Sequence, residues 1–237
     1  MNCPSAKEFV GTIIHELRTP LQAIMASVDA LKMDPSNTVK KNKSLERLEQ
    51  SANILSRHVD DLRDYLLLDW NEFSIIEAEV DATAILKEVA IDFEHLAAEK
   101  DILFKFNFDN PFITAVLDGF RFRQIANNLV SNAIKYSDHG EVNLSLKLVN
   151  LAEDSKTEIP ALTLSVSDTG RGISKENAEL VFDPFFRMYP KDISIKGMGL
   201  GLAITKRLCV RMGGKIEVIS NEGKGSEFKV ELPVKLV

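Results

Sequence analysis

Two runs of apolar residues near the amino terminus constrain the fold of this chain more than any other feature. In each run, at 10–31 and 45–66, apolar side chains recur three and four residues apart. This spacing places them along one side of a helix. The polar segment 34–37 (DPSN) separates the runs and predicts a turn. Residues 1–70 are therefore predicted to form a hairpin of two helices.

Such a hairpin leaves much of each apolar stripe exposed to water. A second copy of the chain would cover both stripes and complete a four-helix bundle. We therefore predict that the chain forms a homodimer through this hairpin.

The sequence after Trp70 alternates strand-like and helix-like segments. The predicted strands are 72–80, 102–108, 112–117, 141–150, 161–167, 215–220 and 226–233, with the polar segment 152–160 as a turn. The predicted helices are 82–99, which begins after Asp81 as an N-cap, 119–135 and 200–212. This order predicts an α/β sandwich over residues 71–237, with one mixed or antiparallel sheet covered by helices on one face. The chain as a whole is assigned to the α+β class.

The first helix contains the segment HELRTPL at 15–21. The apolar stripe turns His15 to its flank, where the imidazole can meet solvent or a partner. Pro20 has no backbone N–H, so the carbonyl of Glu16 loses its usual helical partner. The helix is expected to kink or loosen beside His15. An ordinary surface histidine on an irregular helix would show the same pattern, so this segment alone leaves the role of His15 open.

The segment NNLVSNAIKYS at 127–137 places amide side chains on one helix face. Asn128 and Asn132 are four residues apart, and Lys135 lies one turn beyond. Carboxamide oxygens suit Mg²⁺, which bridges substrate phosphates, and the lysine could contact those phosphates. Solvent-facing amides on an ordinary amphipathic helix remain the alternative.

Two glycine-containing segments follow. In SVSDTGRGIS, at 165–174, Asp168 ends a strand and suits recognition of an amino group on a flat ring such as adenine. In KGMGLGLAITKRL, at 196–208, three alternating glycines precede a helix whose free N–H groups can bind phosphate. A simple turn would explain the first segment equally well.

The order of these segments is more specific than any one of them. HELRTPL, NLVSNAIKYS, DTGRGI, FDPFFR and GMGLGLAI together resemble the H, N, G1, F and G2 boxes of sensor histidine kinases of two-component systems. The resemblance covers about residues 9–233. It implies an enzyme that uses ATP and Mg²⁺ to phosphorylate a histidine of its own and then passes the phosphoryl group to an aspartate of a response regulator.

The resemblance also implies roles for individual residues. His15 matches the phosphoacceptor, and Glu16 matches the acidic neighbour that accepts the other ring proton. Thr19 matches a threonine that positions water in a reverse phosphatase reaction, and Arg187 is placed to steady the transferring phosphoryl charge. Asn128 and Asn132 match the magnesium ligands. The full set implied to bind nucleotide is Asn128, Asn132, Lys135, Tyr136, Asp168, Gly170, Gly172, Phe182, Phe185, Gly197, Gly199, Leu200, Gly201 and Ser226.

Composition limits the partners and the location. The net charge of −6 argues against a general nucleic-acid-binding protein. No apolar run is long enough to span a bilayer, and the two cysteines form neither a disulfide pattern nor a zinc-ligand pattern. We therefore expect a cytoplasmic protein, or the cytoplasmic part of a membrane-bound sensor, with no direct membrane contact by this chain.

Two other classes of protein remain as alternatives. One is a relative of the same ATP-binding fold that drives a conformational clamp or phosphorylates a serine, which the HELRTPL segment disfavours. The other is a nucleotide-binding dimeric scaffold, or pseudokinase, that regulates another kinase. The presence of Asn132, Asp168 and the glycines argues against a non-catalytic scaffold that does not bind nucleotide.

Overall fold

The computed structural model describes residues 6–33, 38–69, 73–154, 157–188 and 197–237. Two long helices, α1 (Ala6–Met33) and α2 (Thr38–Asp69), pack together as the predicted hairpin. The predicted turn at 34–37 and the predicted domain border at residues 70 and 71 lie outside the described residues. Among the described helices, none combines the length and apolar content that a membrane span requires.

The second part of the chain is an α/β sandwich, as predicted. Its elements are β1 (Ala78–Asp81), α3 (Ala82–Ala98), β2 (Ile102–Phe108), β3 (Thr114–Leu117), α4 (Gly119–Tyr136), β4 (Gly140–Asp154), β5 (Thr157–Asp168), α5 (Gly201–Arg211), β6 (Lys215–Asn221), β7 (Gly225–Pro233) and β8 (Lys235–Leu236). The main sheet has the order β2-β4-β5-β7-β6 and is mixed, since β2 and β4 are parallel and its other neighbours are antiparallel. A small sheet has the order β1-β3-β8.

The core lies between the main sheet and its three helices. Alternate residues of the central strands, among them Leu144, Leu164 and Val230, are fully buried. They face the buried side of α4, which includes Phe122 and Leu129. This alternation of buried and exposed positions follows from the pleat of a strand. It explains why alternating apolar and polar residues predicted these strands from the sequence.

Some predicted boundaries differ from the structure. The strand predicted at 72–80 is shorter, because only Ala78–Asp81 pairs with β3. The predicted turn at 152–160 is also shorter, because β4 extends to Asp154 and β5 begins at Thr157. Backbone pairing continues there despite the polar side chains, since ladder hydrogen bonds do not depend on hydrophobicity. The two-residue strand β8 was not predicted.

The hairpin packs against the sandwich through the carboxyl-terminal half of α2. Asp64, which is almost completely buried, accepts hydrogen bonds from Arg121 at 3.0 Å and from Gln124 at 2.8 Å on α4. Arg207 of α5 donates to the carbonyl of Tyr65 at 3.2 Å. A buried carboxylate needs such partners, so these contacts hold the two parts of the chain together.

The partly buried carboxylate of Asp61 on α2 makes the stability depend on pH. Burial, together with the nearby Asp64 and Asp60, raises the pKa of Asp61 from 3.8 to about 6. The folded chain therefore binds this proton more tightly than the unfolded chain, and the free energy of unfolding falls as the pH rises through that interval.

We expect Asp61→Asn to stabilise the chain above pH 6 by about 1–2 kcal/mol, because the amide has no charge to desolvate. The difference from wild type should vanish below pH 4. Thermal unfolding across this pH range checks the expectation, with Glu49→Gln as a control because Glu49 is exposed on the same helix and does not contribute to the Asp61 shift. Equal unfolding temperatures of wild type and Asp61→Asn at pH 7.5 would contradict it.

Candidate active site

The histidine of the HELRTPL segment lies on the outer surface of α1. The side chain of His15 is 78% exposed, and its Nδ1 is 3.6 Å from Oε1 of Glu16. Neighbouring residues on a helix do not normally face each other, so this contact depends on the side-chain rotamers. The hydroxyl of Thr19 donates to the carbonyl of His15 at 3.3 Å. The structure thus brings the three residues of this segment together.

Helix α1 continues through Pro20, which is buried. The carbonyl of Glu16 cannot receive a hydrogen bond from Pro20, and Nδ1 of His58 on α2 lies 3.3 Å from it. The irregularity expected at Pro20 is therefore a missing backbone hydrogen bond within a continuous helix, and His58 of α2 occupies the place of the missing donor. His58 was not among the predicted site residues, because the sequence does not show which residue of α2 faces Pro20.

Glu16 also connects α1 to the α/β sandwich. Nη1 of Arg187 lies 3.4 Å from Oε1 of Glu16, the same oxygen that approaches His15. Lys135 of α4 lies in this region: burial, together with the Arg187 charge, lowers the pKa of Lys135 to about 8, and the Glu16 charge opposes that shift. Its ammonium also lies beside Gly197, where an added Cβ would be 3.0 Å from Nζ. Two cationic side chains therefore converge near the exposed histidine.

A cavity with about 550 Å³ of empty space, part of it open to solvent, lies between α4, the end of β5 and the start of α5. It is lined by Asn132, Ala133, Tyr136, Asp168, Arg171, Gly172, Ile173, Val181, Phe186, Met188, Leu202, Ser226 and Phe228. Five of the predicted nucleotide-binding residues are in this set: Asn132, Tyr136, Asp168, Gly172 and Ser226.

Asp168 is the one carboxylate among the described residues that line this cavity. Its Oδ1 accepts a hydrogen bond from the N–H of Gly170 at 2.8 Å. Burial raises the pKa of Asp168, while the backbone N–H groups of Gly170 and Ser226 act in the opposite direction. A fixed acceptor at the edge of an apolar cavity suits a ligand that offers an amino group on a flat ring.

The backbone geometry requires glycine at two predicted positions. Gly172 has φ +67°, and an added Cβ would lie 2.0 Å from the carbonyl oxygen of Asn221. Gly199 has φ +75°, and its Cβ would lie 2.9 Å from the backbone of Phe185. Contacts within the protein therefore require both glycines, whether or not a ligand binds beside them.

Other predicted residues lie away from the cavity. The amide nitrogen of Asn128 lies 3.3 Å from the carbonyl of Gly201 and 3.3 Å from the hydroxyl of Thr205, so this side chain holds the start of α5. Leu200 is buried in the core. The ring of Phe182 packs against that of Phe228 and under the ammonium of Lys206.

Phe185 contacts the helical hairpin. Its backbone has φ +64°, which is uncommon for a residue other than glycine, and its N–H donates to the carbonyl of Gly199 at 2.9 Å. Its ring lies 5.1 Å from the ring of Phe9 on α1 and 6.2 Å from that of Tyr65 on α2. The next residue, Phe186, lines the cavity instead.

Most of the apolar lining of the cavity was not predicted from the sequence. These residues are Ala133, Ile173, Val181, Phe186, Met188, Leu202 and Phe228, and the polar Arg171 was also missed. Apolar residues of a cavity look like core residues in a sequence, so no signal separated them.

The donor set at the cavity suits a magnesium ion that is held mainly by phosphates. In the described part of the chain, no cluster of three or more His, Cys, Asp or Glu side chains could hold a metal by itself. Asn132 places a carboxamide at the cavity, whereas Asn128 is hydrogen-bonded to α5. Mg²⁺ commonly takes one or two protein oxygens and completes its shell with phosphate and water, which these residues allow.

Two family models match the chain. Residues 5–69 match the His Kinase A (phospho-acceptor) domain, and residues 117–236 match the histidine kinase-, DNA gyrase B-, and HSP90-like ATPase. The sensor histidine kinase AtsR of Burkholderia thailandensis is 35% identical over 96% of this chain and 37% of AtsR. The sensor histidine kinase RcsC of Escherichia coli is 31% identical over 97% of this chain and 23% of RcsC. The chain thus spans less than two fifths of the length of these relatives.

Solved structures lead to the same family. Full-length ShkA in complex with AMPPNP has a TM-score of 0.71 and 29% identity, covering 97% of this chain and 46% of ShkA. ThkA in complex with the response regulator protein TrrA has a TM-score of 0.66 and 26% identity, covering 96% of this chain and 61% of that one. The chain matches a phospho-acceptor domain followed by an ATPase domain, and these relatives and structural neighbours are histidine kinases. This chain therefore belongs to the sensor histidine kinase family.

Proposed function

We propose that this histidine kinase uses ATP to phosphorylate His15 and then transfers the phosphoryl group to an aspartate of a response regulator. One observation carries the proposal: Oε1 of Glu16 lies within 3.6 Å of Nδ1 of His15 and within 3.4 Å of Arg187. The candidate acceptor histidine therefore lies next to the candidate ATP-binding domain. The complex of ThkA with TrrA supports a response regulator as partner.

We propose different roles for the two ring nitrogens of His15. Since Nδ1 faces the carboxylate of Glu16, Nδ1 carries the hydrogen in the neutral ring and Nε2 holds the free lone pair. Nε2 then attacks the γ-phosphorus as the bond from that phosphorus to the bridging oxygen breaks, and ADP leaves with the bonding electrons. Glu16 stabilises the positive charge that develops on the ring.

Nucleotide contacts follow from the cavity. We propose that Asp168 accepts a hydrogen bond from the adenine amino group, with Tyr136 and Ser226 beside the ring. The N–H groups leading into the start of α5, at Gly197, Gly199 and Gly201, would bind phosphates together with Lys135 and Arg187. AMPPNP in the complex with ShkA supports a nucleotide as the ligand.

Magnesium fits this arrangement. Asn132 would hold it from the protein side, and the predicted ligand Asn128 would first have to turn from Gly201 and Thr205. When bound, the ion neutralises charge on the phosphate oxygens.

We also propose that residues 1–70 form the dimerisation and phosphotransfer domain and that residues 71–237 form the ATP-binding domain. The hairpin supports a homodimer, because large apolar residues of both helices are about half exposed in the single chain. They are Val10, Ile14, Leu21, Met25, Leu45 and Val59. A second copy that covers them would form the four-helix bundle, and the same bundle would present His15 to a response regulator.

A phosphatase activity toward the phosphorylated regulator is a second proposal. Thr19 is exposed beside His15, but its hydroxyl is hydrogen-bonded to the His15 carbonyl. That hydroxyl must rotate away before it can orient a water molecule toward a phospho-aspartate.

We expect Thr19→Ala to lower the rate of regulator dephosphorylation by about tenfold to hundredfold, as loss of a water-positioning group does. Autophosphorylation should stay within about threefold of wild type, because the exposed hydroxyl adds little to the helix. Both rates can be measured on one preparation, with Thr19→Ser as the matched control that keeps the hydroxyl. Unchanged dephosphorylation in Thr19→Ala would remove the phosphatase proposal.

Titration with ATP and Mg²⁺, followed by a test for label from γ-labelled ATP, separates the kinase from the alternative scaffold. The kinase proposal predicts binding and a labelled chain. Binding without label would favour a pseudokinase, and no binding would favour a scaffold that does not use nucleotide.

A further inference from the structure

The carbonyl of Glu16 is a backbone acceptor that α1 itself leaves without a donor. Residue 20 would normally supply the N–H, but Pro20 has none. Pro20 is buried in the hairpin, and His58 opposite it is only 6% exposed. A buried carbonyl without a hydrogen bond is unfavourable, and Nδ1 of His58, 3.3 Å away, is placed to supply it.

The chemistry of this contact fixes the state of the His58 ring. A carbonyl oxygen only accepts hydrogen bonds, so Nδ1 carries the hydrogen. Burial lowers the pKa of His58, which keeps the ring neutral near pH 7. Arg57 on the same helix and Lys135 on α4 also lower that pKa, whereas the Glu16 carbonyl and the Glu16 carboxylate oppose the shift. The neutral Nδ1–H tautomer is therefore the form that binds Glu16.

The peptide held in this way belongs to the proposed reaction centre. The side chain of Glu16 contacts both His15 and Arg187, and the hydroxyl of Thr19 is bonded to the carbonyl of His15. If the Glu16 carbonyl lost its donor, the turn would shift to expose it to water, and the Glu16 carboxylate would move with it.

We infer that His58 is a positioning residue for phosphoryl transfer, because its Nδ1–H replaces the missing N–H of Pro20 and fixes the turn that carries His15 and Glu16. This inference rests on the proposed phosphorylation of His15. His58 itself does not touch the nucleotide cavity.

The first test compares two substitutions at one position. His58→Leu introduces an apolar side chain of similar size that has no hydrogen-bond donor. His58→Asn keeps an N–H donor on a nitrogen bonded to Cγ, as Nδ1 is in histidine. We expect His58→Leu to lower the autophosphorylation rate at saturating ATP by about tenfold to hundredfold, with the KM for ATP within about twofold of wild type. His58→Asn should keep the rate within about threefold of wild type.

The second test restores the missing donor on α1. In the double variant Pro20→Ala with His58→Leu, the N–H of residue 20 can donate to Glu16 within the helix. We expect the second substitution to reverse at least about half of the decrease in the logarithm of the rate that His58→Leu causes. The effects of the two substitutions would then not be additive. Equal rates for His58→Leu and wild type, or no recovery in the double variant, would overturn the inference. Thermal unfolding of each variant shows whether it is folded.

A spectroscopic measurement separates this inference from the proposed function. In the chain with ¹⁵N-labelled histidine, long-range proton–nitrogen correlation spectra report the tautomer of each ring, and His58→Asn identifies the His58 signals. We expect a neutral Nδ1–H ring at His58. An Nε2–H ring in a chain that still autophosphorylates would overturn the inference alone. An Nδ1–H ring in a chain that takes up no phosphoryl group would overturn the proposed function and, with it, the positioning role.

Discussion

The His15→Gln variant is expected to bind ATP as tightly as wild type and to take up no phosphoryl group. His15 is 78% exposed and makes no contact that the fold needs, so its loss should leave the stability unchanged. A glutamine amide nitrogen has no available lone pair for attack on phosphorus, so we expect the rate to fall by at least about 10³-fold. Incubation with γ-labelled ATP and Mg²⁺, with detection of label on the protein, measures this loss.

The matched control is His139→Gln. His139 is also exposed but lies on the loop after α4, outside the candidate site. It should keep the full label and the same acid lability. Label on His15→Gln at the wild-type level would show that another residue accepts the phosphoryl group.

The second large effect is expected at the nucleotide cavity. In Asp168→Asn, the amide oxygen can still accept from the N–H of Gly170, so the amide N–H₂ takes the place of the other carboxylate oxygen, which we propose faces the amino group of adenine. Two donors, the amide N–H₂ and the adenine amino group, then face each other, whereas in the wild type the carboxylate accepts from that amino group. We expect the affinity for ATP to fall by about 10²-fold, as loss of a buried, charge-assisted hydrogen bond does.

Fold and binding can be separated in this variant. Burial raises the pKa of Asp168, so a neutral amide at this position should not lower the unfolding temperature of the nucleotide-free chain. Calorimetric titration with ATP gives the affinity, and Asp109→Asn is the control, because the Asp109 side chain is 50% exposed and lies 3.9 Å from Lys147, outside the cavity lining. An unchanged affinity in Asp168→Asn would show that adenine binds elsewhere.

Much of the fold could be predicted because local chemistry determines it. Asp81 caps α3 by accepting from the N–H groups of Thr83 and Ala84, as its position before an apolar helix indicated. The spacing of apolar residues likewise gave both helices of the hairpin. Each of these signals depends on residues that are close together in the sequence. The sequence of a single chain is therefore enough to detect them.

The candidate site was predicted less completely because tertiary contacts determine it. The sequence motifs led to Asp168, Asn132 and His15, and the resemblance gave them roles. It did not indicate that Phe185 turns toward the hairpin through a positive φ, or that His58 meets Glu16 from 42 residues away. Both contacts depend on how the helices and the sandwich pack together, which periodicity does not specify.

The packing between the helical hairpin and the sandwich also depends on tertiary contacts that the sequence does not show. Asp64 was part of an ordinary charged stretch in the sequence, yet it is buried against Arg121 and Gln124. The partners are 57 and 60 residues away, so no local pattern pairs them. A carboxylate on a helix is usually solvated, and only the contact with α4 changes that expectation.

The most direct test of the account is the location of the phosphoryl group on the wild-type chain. The chain is incubated with ATP and Mg²⁺, digested at neutral pH, and its peptides are mapped by mass spectrometry, with the lability of the phosphoryl group measured in acid and in base. The account predicts one phosphoryl group, labile in acid and stable in base, on the α1 peptide at His15. A phosphoryl group that is stable in acid, or one that maps to any other residue, would contradict it.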